Sequence, residues 1–135
     1  MNKLVDFIEK NDQVLIKKNA VSDADLSAAE KALGFNFDSV YKEYLLNFGK
    51  VSYESMELYG LGVSDKSHLN VVNANKNMTS QYGNWPSNAV VLEDIAEDNY
   101  IVYVMNEGVF QFAPIECKKI SNSLEEYIMM RIAEA

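Results

Sequence analysis

Apolar residues fall at helical spacing in the first third of the chain and at strand spacing in the last. Leu4, Phe7 and Ile8 stand at i, i+3 and i+4, the spacing of one helix face. Ser22 reads as the N-cap of a second helix, with Asp23 and Asp25 in its first turn, where carboxylates meet the positive end of the helix dipole. Leu26, Ala29 and Leu33 form its apolar stripe, and Gly34 suits the left-handed position that ends it. Asp38 caps a third helix, in which Tyr41, Tyr44, Leu45 and Phe48 fall at i, i+3, i+4 and i+7 before Gly49. Beyond Lys50 the pattern predicts a short strand over 56–59 leading into the turn Gly60-Leu61-Gly62. A further helix then opens near Ser67, with Val71, Asn75, Met78 and Tyr82 on one face and Gly83 at its end. Pro86 biases Trp85 away from helix, and 89–92 begins a strand. Residues 100–105 and 109–112 are β-branched and aromatic, and Asn106-Glu107-Gly108 between them supplies a hairpin turn. A third strand covers 116–120, and Ser123 caps a final helix with Leu124, Tyr127, Ile128 and Ile132 inward. Helices first, then an antiparallel sheet, then a closing helix: the order is α+β rather than a βαβ repeat.

Several residue blocks carry a family resemblance. The run VSDADLSAAEKALG at 21–34, followed by Tyr41-Lys42-Glu43-Tyr44-Leu45 and Asn47-Phe48-Gly49, resembles the amino-terminal signature of the SUKH superfamily. Tyr59-Gly60, the Trp85-Pro86 step into an apolar strand, and Ser123-Leu124-Glu125-Glu126-Tyr127-Ile128 are similar to its later blocks. The chain departs from that pattern at Phe37-Asp38, where members commonly carry Leu-Pro, and at Ala96-Glu97-Asp98-Asn99, where a Gly-rich turn is usual. The resemblance implies a single SUKH-like α+β domain over 1–135, an antiparallel sheet packed against amino-terminal, central and carboxy-terminal helices. It also implies an immunity protein that binds and neutralises a cognate polymorphic toxin, often a nuclease or deaminase. The fungal branch implies the alternative, an intracellular regulatory, scaffold or small-ligand-binding module.

Charge sharpens the first reading. The 135 residues carry a net charge of -8, which repels nucleic-acid phosphate and anionic membranes. The excess is concentrated in 51–117, where nine carboxylates face two lysines, Lys66 and Lys76. The partner expected is therefore a protein with a basic cleft, not a nucleic acid or a membrane. The opening MNKLVDFIEKND is broken by Asp6 and Glu9, short of the apolar run of about 7–15 residues in a secretory signal. The stretches 89–92 and 101–105 fall well below the roughly 18 residues of a membrane span. A cytoplasmic chain is the expectation.

Chemistry-bearing constellations are sparse. His68 is the single histidine, so a multi-histidine metal site is impossible. Ser67 beside it in sequence lacks the strained elbow of a nucleophile. The lone Cys117 reads as a small packed residue. The segment Glu93-Asp94-Ile95-Ala96-Glu97-Asp98 has carboxylates but neither the alternating ligands nor the central glycine of a calcium loop. No catalytic residue, metal or cofactor is expected. The expected contact surface is an acidic face of Glu93, Asp94, Glu97 and Asp98, helped by Glu54, Glu57 and Asp65. Tyr59 and Trp85 join it as aromatic anchors, left over with Tyr53 once the helical and strand stripes are assigned.

Overall fold

A computed structural model describes every residue of the chain except Asp12 and Leu15. Among the described residues there are five helices: α1 (Asn2–Lys10), α2 (Asp23–Leu33), α3 (Ser39–Phe48), α4 (Val71–Gln81) and α5 (Leu124–Glu134). A two-stranded ribbon, β1 (Ser52–Tyr53) with β2 (Met56–Glu57), precedes a four-stranded antiparallel sheet. Its strands, β3 (Ala89–Asp94), β4 (Tyr100–Val104), β5 (Gly108–Ala113) and β6 (Glu116–Ser121), lie side by side in chain order. The α+β architecture anticipated from the pattern is the one observed.

Helix starts follow local chemistry. Ser22 and Asp25 form a reciprocal capping box at α2, and Gly34 ends it at φ 84°. Asp38 caps α3 through the Tyr41 N–H, and Ser123 caps α5 through the Glu126 N–H. The fourth helix begins later than Ser67. Asn70 is its cap, accepting from the N–H groups of Val72 and Asn73, while the Ser67 hydroxyl accepts from Leu69 N–H and closes a turn. Its C-cap is Tyr82 rather than Gly83.

The strand expected over 56–59 is only Met56–Glu57, paired with β1, and Tyr53 lies half-buried in that ribbon. Past Glu57 the backbone threads between other elements, one bond to each. Leu58 N–H donates to Val51, Tyr59 to Leu92, Gly60 to Leu69 and Leu61 to Gly49. Glycine is obligatory at the tightest point, since a Cβ on Gly60 would lie 1.9 Å from the Gly49 carbonyl oxygen.

All five residues of β4 are buried, as are the first five of β3, so these strands are covered on both faces; that is why they read as unbroken apolar runs. Tyr103 stacks on Tyr41 of α3, and Glu93, whose register partner is Ile101, meets α5. On the opposite face Tyr82 and Trp85 pack edge-on against Phe112 and Tyr100. The two sheet edges differ. Asn75 of α4, 1% exposed, closes the β3 edge by donating to the Ala89 carbonyl and accepting from Val91 N–H, both at 3.0 Å. Among the described residues nothing covers β6 in this way, and five of its six residues are exposed.

Asp38 ties the helical layer to the sheet. One carboxylate oxygen caps α3, and the other accepts from the Tyr103 hydroxyl at 2.6 Å and the Asn106 N–H at 2.7 Å. Burial, then the bond to Asp38 and its charge, push the Tyr103 phenol well above its usual range, so the hydroxyl stays a donor. Asp38→Ala removes the cap and the acceptor of two further hydrogen bonds. A loss of about 2 kcal/mol in urea-unfolding stability is expected, and a change below about 0.5 kcal/mol, the size typical of a neutral surface substitution, would contradict this role.

Candidate functional site

Where β2, the threaded segment, the turn before α4 and the end of β3 meet, they enclose a groove of about 350 Å³. Ser55, Glu57, Tyr59, His68, Leu69, Glu93, Asp94 and Ala96 line it. Tyr59 is held by its backbone, its N–H on Leu92 and its carbonyl accepting from the Tyr44 hydroxyl at 2.9 Å. Its half-buried ring is thereby fixed beside two carboxylates. Burial first, then the negative charge of Asp94 and Glu57, raise the phenol pKa, so the groove presents a neutral hydroxyl among acids.

Asp94 stands where β3 gives way to a turn in which Ala96, Glu97 and Asp98 adopt φ 74°, 56° and 60°. Asn and Asp tolerate this left-handed region, whereas Ala and Glu pay for it sterically. The turn is held by the Asp94 carboxylate, which accepts from Ala96 N–H at 2.8 Å, and by Ile95 N–H to Asn99 and Asn99 N–H to Ala96. Glu97 is exposed beside the groove rim, and Glu54 is exposed at the tip of the β1–β2 ribbon with φ 55°. His68 is also exposed, its Nε2 3.4 Å from a Glu57 oxygen.

The nine sequence-derived contact residues are therefore sorted by the fold. Glu57, Tyr59 and Asp94 converge on the groove, with Glu54 and Glu97 on adjoining turns. Glu93 is a correction. Although its position borders the groove, it is 5% exposed, and its carboxylate accepts from Arg131 Nη2 at 2.5 Å, Arg131 Nε at 3.1 Å and the Tyr127 hydroxyl at 3.3 Å. A carboxylate so engaged is an internal anchor rather than part of an open acidic face.

Asp65 lies instead on a separate groove with Asp25 and the alanines of α2. Trp85 packs into the aromatic cluster and borders a third groove with Gly34 and Lys76, and Asp98 accepts from the Tyr82 hydroxyl at 2.9 Å. Cys117, expected to be packed, is exposed on β6, and partial burial of its sulfur raises rather than lowers its pKa, the reverse of what a nucleophilic thiolate needs. Among the described residues no three His, Cys, Asp or Glu side chains are placed to hold a metal ion. No helix among them is long and apolar enough to cross a membrane.

Sequence reasoning missed His68, Ser55 and Leu69 as groove residues, because none has a periodicity of its own. It also missed Arg131, whose signal was available: it is the chain's single arginine, and arginine is the cation best suited to a bidentate buried carboxylate.

The fold is that of a described family. Residues 1–132 match the SUKH_5 family model, described as SMI1-KNR4 cell-wall, and the chain belongs to that family. Among solved structures, a protein from Pseudomonas syringae pv. tomato is similar at TM-score 0.77 over 100% of both chains and 17% identity, a likeness of fold. A search of the curated proteins gave no match.

Proposed function

We propose that the protein is an immunity protein that binds a cognate toxin and obstructs its active cleft without chemistry of its own, within the cytoplasm. Family membership supports the class, and one observation carries the mechanism: Glu57 and Asp94 converge on a single groove around Tyr59, with Glu54 and Glu97 on the flanking turns. A basic cleft shaped for nucleic-acid phosphate is the complement of such a surface. The carboxylates take the place of phosphates, and Tyr59 supplies a rigid aromatic contact with a polar tip. Glu93 contributes indirectly, holding the end of β3 from beneath through Arg131.

The test is co-expression with the toxic domain of the proposed cognate toxin. Growth rescue by the wild-type chain is expected. Glu57→Lys with Asp94→Lys is expected to abolish rescue while the chain stays folded, since both side chains are exposed and the loss of the Asp94 bond to Ala96 N–H lowers thermal stability only slightly. With purified partners the association rate should fall about tenfold between low and physiological salt as long-range attraction is screened. A salt-independent rate, or full rescue by the double charge reversal, would overturn the electrostatic mechanism.

A further inference from the structure

The open edge of the sheet carries a second surface, independent of the groove. Every residue of β6 from Glu116 to Ile120 is exposed, and Ile115 at its start is 96% exposed. Among the described residues no hydrogen bond reaches its outer side, whereas the β3 edge is closed by Asn75 and by Tyr59 N–H. An uncovered edge strand is a template for another strand.

The register shows which groups point outward. Ala113 and Glu116 close a two-residue turn and so form a hydrogen-bonded pair. Alternation then leaves the backbone N–H and C=O of Cys117 and Lys119 directed away from β5. We propose that this edge pairs antiparallel with β6 of a second copy of the chain, in the register that sets Cys117 opposite the partner's Cys117.

Charge selects that register. A two-fold axis perpendicular to the sheet keeps each side chain on its own face, so a strand pairing with itself is centred on one residue. Centring on Glu116, Lys118 or Lys119 places a like charge opposite itself, which destabilises a cross-strand pair. Ile120 is displaced by the irregularity where β5 and β6 shift register and cannot centre a regular ladder. Centring on Cys117 places Glu116 opposite the partner's Lys118, twice by symmetry, and lets both Cys117 residues exchange backbone hydrogen bonds. Lys119 then faces the partner's Ile115, its stem covering that exposed side chain. One strand from each copy makes a small interface, so the dimer is concentration-dependent.

Sedimentation equilibrium tests this on the full chain. The wild-type mass is expected to double with concentration, and a short bis-maleimide is expected to link the two copies through Cys117. Glu116→Lys and Lys118→Glu each set like charges opposite one another and should remove the dimer. The variant carrying both exchanges the pair and should restore it, a recovery that a folding defect would not show. Lys119→Pro deletes an outward N–H that an edge strand can spare and should also give a monomer. A wild-type monomer at every attainable concentration overturns the proposal. So does a dimer indifferent to these substitutions, or an edge that pairs with an added acidic peptide and never with itself.

Discussion

Replacing Asn75 with Leu is expected to lower the unfolding free energy by about 3 kcal/mol, because two buried backbone groups lose their partners at once. The Ala89 carbonyl and Val91 N–H lie on the outer edge of β3, where a fifth strand would sit, and the Asn75 amide satisfies both at 3.0 Å. Leucine has a similar volume and keeps the apolar contacts of the α4 face, so the loss reports the hydrogen bonds rather than a cavity. In urea the midpoint should fall with an unchanged slope, and the thermal midpoint should drop by roughly 10 °C. Asn75→Asp should do no better. A carboxylate still accepts from Val91 N–H but cannot donate to Ala89, and it brings a charge into a site 1% exposed. An Asn75→Leu variant within about 0.5 kcal/mol of wild type would mean that the β3 edge does not depend on this side chain.

Asn75 also marks where the sequence was legible and where it was not. The helical stripe Val71, Asn75, Met78 and Tyr82 was readable, and a polar residue in an otherwise apolar stripe signals a buried hydrogen-bond partner. The identity of that partner, a strand more than a dozen residues away, has no local signature. Caps such as Ser22, Asp38 and Ser123 were readable because their partners are backbone groups two or three positions on. The second role of Asp38, across 65 residues to Tyr103, was not.

The same division governs the candidate site. The acidic segment 93–98 was visible as composition, but strand geometry decides which carboxylates face outward. The pleat and the register shift between Val91 and Glu93 turn Glu93 toward α5 while Asp94 reaches the groove. The turn Ala96-Glu97-Asp98-Asn99 borders the groove through Ala96, and its three successive left-handed residues build what glycine would otherwise supply.

Arg131→Ala is expected to have the largest effect, a loss of about 4 kcal/mol, because it strands a buried carboxylate. Glu93 is the deeper partner, its side chain 6% exposed against 25% for Arg131. Without the guanidinium, Glu93 keeps only the Tyr127 hydroxyl at 3.3 Å. The reverse deletion is asymmetric. Glu93→Gln leaves a cation that can swing into water and retains an oxygen able to accept from it, so about 1–2 kcal/mol is expected.

Replacing both residues with methionine removes the two desolvation costs together and should recover most of the loss, as buried ion pairs exchanged for packed apolar side chains commonly do. A double-mutant cycle on these variants therefore separates the net worth of the pair from the cost of orphaning one member. Its functional readout lies one residue further along. Glu93 fixes the end of β3 from which Asp94 and the left-handed turn project, so Arg131→Ala should weaken the binding proposed for the groove even under conditions where the variant remains folded. The double methionine variant, stable but without the directional bond, should regain stability more fully than affinity. Equal recovery of both would assign Glu93 and Arg131 to stability alone and leave Glu57, Asp94 and Tyr59 to shape the groove without them.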